Sequence, residues 1–172
     1  MNLRRTLVII LIALAVLTTA LFAWYVCSHG FSAREKPLVI EAFIARNLRR
    51  LSVPSRVNSL RNPLLGTALE IAKGRDHFAD HCAVCHGNRG DGNTTINQGL
   101  YPPAPDMRES ETQSLSDGDL LYIIQNGVRF TGMPGWGEGK GKENWHLVSF
   151  IRHLPSLSGR EVELMKEVNN LE

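Results

Sequence analysis

The sequence predicts an all-α fold behind one N-terminal membrane-spanning helix, and three observations support this prediction. Residues 6–27 form an uncharged apolar run, apolar residues between 67 and 156 recur at helical steps, and no stretch shows sustained strand alternation. The 172 residues leave room for one domain of ordinary size plus appendages. We therefore divide the chain into a membrane anchor, a basic proline-containing tether, one helical domain and a C-terminal tail, at residues 1–27, 28–66, 67–156 and 157–172.

The predicted anchor has the features of a single-pass transmembrane helix. Its apolar run exceeds the roughly 20 helical residues that cross a bilayer. Arg4 and Arg5 precede the run and favour a cytoplasmic N-terminus, while Trp24 and Tyr25 suit the opposite interface. The rest of the chain is therefore expected outside the cytoplasm.

A cleaved signal peptide is the alternative interpretation of this segment. Thr18-Thr19-Ala20 is an acceptable small-residue cleavage site, but the apolar run continues past it to Val26. Lipid attachment at Cys27 is disfavoured, because bulky residues precede it where a lipoprotein signal has small ones. We expect the segment to be retained as an anchor.

Charge excludes one class of partner and marks the tether. The formal net charge of +2 with 21% charged residues lacks the basic excess that is typical of nucleic-acid-binding domains. Residues 31–66 nevertheless hold seven Lys or Arg against two Glu, whereas residues 70–158 hold eight basic and eleven acidic side chains. Within the tether, residues 38–51 have helical apolar spacing, so we expect a short helix packed on the domain or lying at a membrane surface.

The helical domain begins near Thr67 and contains three main helices. The first carries Ile71, Gly74, Phe78 and Cys82 on one face.

The other two main helices have clear end signals. The second is predicted at residues 117–126, with Ser116 as its N-cap and Gly127 as a left-handed stop. The third starts near Glu143 and ends before Pro155.

Cys82-Ala83-Val84-Cys85-His86 has the C-x-x-C-H pattern of covalent haem attachment. Two intervening residues put the two sulfurs on one side of a helical turn, where they can add to the two haem vinyl groups. The adjacent imidazole of His86 then projects toward the iron. One such motif predicts one covalent haem c.

Three other site types use the same residues. A thioredoxin-type pair needs a preceding strand, which the helical pattern before Cys82 contradicts. A zinc site needs a fourth ligand, and the sequence has no second cysteine pair. A disulfide between Cys82 and Cys85 would not explain why a histidine directly follows Cys85. Haem attachment is the favoured interpretation.

The second axial ligand of the iron is predicted to be Met133. It lies in the loop Arg129-Phe-Thr-Gly-Met-Pro-Gly-Trp136, where Pro134 favours an extended backbone and the glycines permit close approach to a cofactor. Met107 is the next candidate; Met165 and five further histidines are also available. A thioether opposite His86 closes the coordination sphere and suits electron transfer.

Together, the C-x-x-C-H motif, the Gly-Met133-Pro loop and the helix pair bearing Gly74 and Phe150 resemble a class I c-type cytochrome domain over residues 67–155. The resemblance implies a cytochrome c fold, with three main helices around one haem held by Cys82, Cys85, His86 and Met133. It also implies that the first and last helices cross where Gly74 lets Trp145 or Phe150 approach.

The resemblance implies further haem contacts. The carbonyl of one of the prolines in the loop at residues 99–107 is expected to accept a hydrogen bond from Nδ1 of His86, and the sequence does not show which proline. Tyr101 and Trp136 are candidates for hydrogen bonds to a haem propionate, with plain packing as the alternative for each.

The function implied is electron transfer by the haem domain on the periplasmic side of a bacterial cytoplasmic membrane. The chain is expected to act as a carrier rather than an enzyme, or as the haem subunit of a dehydrogenase or oxidase, with redox proteins as partners. The alternative is a peroxidase-like haem enzyme or a gas-binding cytochrome, which needs an open sixth position at the iron. No motif in the sequence identifies the electron donor or the electron acceptor.

Overall fold

The computed structural model describes residues 3–30, 32–64, 66–137 and 141–171. The chain divides into two compact units, Met1–Ser32 and Ala33–Glu172.

The first unit contains helix α1, Leu3–His29, which has no buried residue. An 18-residue stretch within it has a mean hydropathy of 2.7, and among the described residues α1 is the one helix long and apolar enough to cross a membrane. These properties agree with a transmembrane segment.

The second unit is all-helical over the part that is described, which confirms the predicted fold class. Its α-helices are α2 (Val39–Ser52), α3 (Ser55–Asn58), α4 (Ala68–His77), α5 (Ala83–His86), α6 (Ser110–Gln113), α7 (Asp117–Asn126), α8 (Gly141–His153) and α9 (Gly159–Asn169). A π-helical turn at Phe78–Cys82 joins α4 to α5, and short 3₁₀ turns lie at Asn97–Gly99 and Leu154–Ser156.

Helices α4 and α8 cross at a glycine, as expected from the sequence. A capping box between Thr67 and Glu70 starts α4. At Gly74 the helices are so close that an added Cβ would lie 2.1 Å from the carbonyl oxygen of His146 and 2.8 Å from Cβ of Phe150. Phe150 is fully buried and packs on Phe78, with ring centroids 5.2 Å apart. This crossing fixes the direction in which α4 leads to the C-x-x-C-H motif.

Replacing Gly74 with alanine is expected to destabilise the protein by about 3 kcal/mol, at the upper end of the range for overpacking. A methyl group normally stabilises a helix by about 1 kcal/mol relative to glycine. Here the obstructing atom belongs to the backbone of His146 and cannot rotate away. Denaturant unfolding followed by circular dichroism measures the loss. Gly159→Ala is the control, since nothing lies within 4 Å of its added Cβ; equal stability of the two variants would contradict the crossing.

Helix α7 has the predicted boundaries. Ser116 and Asp119 form its capping box, and Gly127 ends it at φ +67°. Leu120, Leu121 and Ile124 point into the core. The helix therefore ends at the beginning of the loop that contains Met133.

The segment before α4 packs on the domain through polar contacts. The carboxylate of Glu41 in α2 accepts a 2.6 Å hydrogen bond from the hydroxyl of Tyr101. The side chain of Asn62 donates to the carbonyl of Trp145 and the hydroxyl of Ser149, at 3.1 and 2.8 Å. This segment and the helical domain thus belong to one compact unit.

Helix α9 completes the core from the C-terminal side. A capping box between Ser158 and Glu161 starts it, and Val162 and Met165 are buried at 3% and 0% exposure. Near its end, Asn169 donates 2.8 Å to the carbonyl of Ala79 and 2.7 Å to the side chain of Asn88. The C-terminal segment therefore contacts the π-helical turn that precedes Cys82.

Candidate functional site

The C-x-x-C-H motif occupies the end of one continuous helical segment. The π-helical turn leads into α5, a single turn at Ala83–His86. π-helical turns are often found at functional sites. Gly87 ends the segment at φ +73°, where its N–H donates 2.7 Å to the carbonyl of Ala83. Cys82 and Cys85, three residues apart, consequently lie on the same side of the helical turn.

His86 is a buried imidazole with unused coordinating capacity. It is 8% exposed, and its ring lies 6.2 Å from that of Phe78. Its Nδ1 is buried without a hydrogen-bond partner among the described residues. Burial lowers the pKa of His86 to about 4. At neutral pH the ring is uncharged and keeps a lone pair, as a metal ligand requires.

The two cysteines are free thiols in a setting that disfavours thiolate chemistry. Burial, together with the neighbouring Cys85, raises the pKa of Cys82 to about 12. Burial also raises the pKa of Cys85. Redox-active cysteine pairs instead have lowered pKa values. No group of three or more His, Cys, Asp or Glu residues suited to a metal occurs in the part of the chain described. These observations argue against the thioredoxin and zinc interpretations.

The loop after His86 is ordered by short polar contacts. The N–H of Gly92 donates 2.8 Å to the carbonyl of His86, and Thr94 donates 3.2 Å to the carbonyl of Cys85. The buried side chain of Asn97 donates to the carbonyls of Gly92 and Ala104, at 2.6 and 3.2 Å. Asn97 thereby connects the haem-attachment motif to the proline-bearing loop.

The expected contact between that loop and His86 is not present in this structure. No described carbonyl accepts from Nδ1 of His86. The side chain of Asn97 bonds both the backbone N–H and the backbone carbonyl of Ala104. This part of the loop is therefore directed toward the turn after the motif. No proline carbonyl of the loop is therefore hydrogen-bonded to Nδ1 of His86.

The Met133 loop is fixed to the C-terminal end of α7. Trp136 N–H donates 2.9 Å to the carbonyl of Ile124, and Gly137 N–H donates 3.0 Å to that of Gln125. The carbonyl of Met133 accepts 3.2 Å from the N–H of Val128. The bonds to Ile124 and Gln125 satisfy carbonyls that the end of α7 leaves without helical partners.

Gly127 is required for this close approach. An added Cβ there would lie 2.5 Å from the carbonyl oxygen of Met133, and the residue has φ +67°. The N–H of Met133 also bonds the hydroxyl of Thr131 at 3.1 Å. The backbone of Met133 is therefore held from both sides.

Two contacts bring the Met133 loop next to the other parts of the site. The ring of Trp136 meets that of His81, the residue before Cys82, edge to face with centroids 5.1 Å apart. An added Cβ at Gly132 would lie 2.7 Å from the side chain of Leu100. The loop consequently lies between the haem-attachment segment and the proline-bearing segment.

The three methionines considered as ligands differ in burial. Met107 and Met165 belong to the apolar core, at 8% and 0% exposure. Met133 is half-buried in its loop and is not a core residue. Met107 and Met165 thus already pack in the core, whereas Met133 does not; its role as an iron ligand stays a prediction.

The other predicted contacts have different surroundings. Tyr101 donates to Glu41, and Trp136 packs partly buried against the core. Their roles toward a haem propionate stay predictions. Sequence analysis missed Asn97; its only signal was an asparagine in a short turn, a position where side chains bond nearby backbone.

The fold and the motif together define a c-type cytochrome domain. Residues 69–151 match the family model described as cytochrome C oxidase, cbb3-type, subunit III, and the matched segment carries both the C-x-x-C-H motif and the Met133 loop. No curated protein matches the chain. The family implies a covalent haem c and haem-based electron transfer.

The residues present fit such a group. Cys82 and Cys85 lie within one helical turn of each other, and the imidazole of His86 that follows them is buried and uncharged at neutral pH. Val84 and Ile96, apolar residues on either side of His86 in sequence, remain 41% and 49% exposed. Apolar surface next to the attachment motif is what a macrocycle would cover.

Proposed function

We propose that this chain is a membrane-anchored monohaem cytochrome that carries electrons on the periplasmic side of a bacterial cytoplasmic membrane. Cys82 and Cys85 would hold the haem covalently, and His86 and Met133 would ligate its iron. The observation that carries the proposal is the fixed Met133 loop beside the haem-attachment segment, joined to it by Trp136 and His81.

A bound haem c would supply an iron that alternates between ferrous and ferric states by one electron. His86 would supply an unprotonated nitrogen to the iron, because burial keeps its pKa at about 4. Met133 would supply a second ligand to the iron and so close it to exogenous ligands. The hydrogen bonds at Val128 and Thr131 keep its backbone in one place during the redox cycle.

The proposed partner is a membrane oxidoreductase. The matched family is named for an oxidase subunit, which favours an oxidase over a dehydrogenase. Arg4 and Arg5, in the first turn of α1, favour a cytoplasmic N-terminus, and so a periplasmic haem domain.

Carbon monoxide tests electron transfer against the enzymatic alternative. The ferrous full-length protein is expected to keep its absorption spectrum under carbon monoxide, since Met133 closes the coordination sphere. It should also cycle reversibly between oxidised and reduced forms in a mediated redox titration. Rapid binding of carbon monoxide by the wild-type protein would overturn the carrier assignment and favour the peroxidase-like or gas-binding alternative.

Membrane anchoring and sidedness are tested separately. The mature protein is expected to retain residues 1–27, sediment with membranes and resist extraction by carbonate. Its haem domain should be digested by protease in spheroplasts but protected in inside-out vesicles. Intact-mass measurement of a mature chain that starts at Leu21 or later would contradict the anchor while leaving the haem site unaffected.

A further inference from the structure

Helix α2 turns its polar side toward the domain and its apolar side to solvent. Glu41 accepts from Tyr101, Arg46 meets Glu111 at 3.5 Å, and Arg49 faces the charges of Glu111 and Asp119. The opposite side carries five apolar residues, which we call the α2 stripe and which are 50% to 82% exposed: Ile40, Phe43, Ile44, Leu48 and Leu51.

The α2 stripe is arranged as a continuous surface rather than as isolated side chains. At about 100° per residue, its members fall within an arc of about 140°; Arg46 and Arg49 lie outside that arc, and Glu41 lies at its edge. The helix is amphipathic in the reverse sense to a helix that packs on a core. The ion pair with Glu111 and the hydrogen bond from Tyr101 support that orientation.

Charge and chain length indicate what covers the stripe. Lys36, Arg50 and Arg56 are exposed beside or near it, within the tether's basic excess. Residues 30–38 separate the end of α1 from the start of α2, and an extended chain of that length spans at most about 35 Å. Wherever α1 crosses a bilayer, α2 is therefore held within reach of that bilayer's surface.

We propose that α2 docks on the lipid surface, with the α2 stripe in the headgroup boundary and the nearby basic residues on anionic lipid. Apolar residues on one side and basic residues at the margin are the features of interfacial helices. Juxtamembrane lysine and arginine also add attraction to anionic leaflets. The consequence is a fixed orientation, because Tyr101 and Glu111 tie the haem domain to α2.

The proposal rests on retention of α1 in the membrane, and the test separates the two. Full-length haem protein carrying Cys27→Ser and Phe43→Cys receives a nitroxide label and is reconstituted in vesicles of three parts phosphatidylcholine to one part phosphatidylglycerol. Cosedimentation with vesicles reports the anchor. With the haem kept ferrous, collision rates of the nitroxide with oxygen and with a water-soluble nickel complex report its surroundings.

The Phe43 label is expected to collide severalfold more often with oxygen than with nickel, as in lipid. The control is Ala45→Cys, an exposed site two residues along that points to nearly the opposite side of α2. Its label should favour nickel. Leu51→Cys should behave like Phe43→Cys.

Two outcomes overturn the proposal. One is a Phe43 label as accessible to nickel as the Ala45 label in protein that cosediments with vesicles. The other is a label shielded from both reagents whose spectrum shows dipolar broadening, relieved by dilution with unlabelled protein; that result assigns the α2 stripe to a second copy of the chain.

Discussion

Replacing Cys82 and Cys85 together with alanine is expected to abolish covalent haem attachment. Each thioether needs one of these sulfurs, and the only other cysteine in the sequence is Cys27 in the predicted anchor. Haem staining after denaturing electrophoresis should disappear, and the intact mass should fall by one haem. Mass spectrometry of the wild-type protein should show one haem per chain.

The single replacements provide the internal comparison. Cys82→Ala and Cys85→Ala should each retain one thioether in the molecules that mature, with reduced yield. Cys27→Ser should stain like the wild type, because Cys27 lies outside the motif. Persistent staining in the double variant would place the attachment elsewhere and remove the basis of the site.

Met133→Ala is expected to change the iron's ligation and its reduction potential. Loss of the thioether should lower the potential by about 0.2 V, within the roughly 0.8 V range that axial ligands set, since a thioether favours ferrous iron. The near-infrared charge-transfer band of the ferric protein should vanish, and the ferrous form should bind carbon monoxide. Redox titration and absorption spectroscopy measure all three effects.

Met107→Leu is the matched control for that variant. Met107 is 8% exposed in the core, and leucine conserves its volume, so about 1 kcal/mol or less of stability should be lost. The near-infrared band and the potential should remain those of the wild type. If Met107→Leu loses the band and Met133→Ala keeps it, Met107 is the ligand.

Local signals in the sequence were sufficient for the main helices. Ser116 and Gly127 bracket α7 because capping and left-handed termination act within a few residues. The third main helix starts at Gly141, slightly before the position near Glu143 expected from its apolar pattern, because its first turn carries no apolar residue. The haem-attachment motif was predicted equally well, because the spacing of its residues is set within one helical turn.

Contacts between distant segments were beyond the reach of such signals. Nothing in the local pattern distinguishes an asparagine that bonds its own turn from Asn97, which connects Gly92 to Ala104. The contact of Trp136 with His81 likewise depends on how α7 and its loop are placed in three dimensions. The orientation of α2 required the positions of its acidic and hydroxyl partners on the domain.

The hydrogen bond from Asn169 to the carbonyl of Ala79 limits how far the C-terminus of this domain can be truncated. The family match ends at residue 151, yet α9 lies beyond it and supplies Met165 to the core and Asn169 to the turn before Cys82. A fragment ending at the family boundary would lack both, leaving a cavity beside the haem-bearing turn and a carbonyl without its donor. The unit of sequence similarity is therefore shorter than the unit of folding, and a soluble haem domain prepared from this chain should extend at least to Leu171, whose carbonyl bonds Asn88.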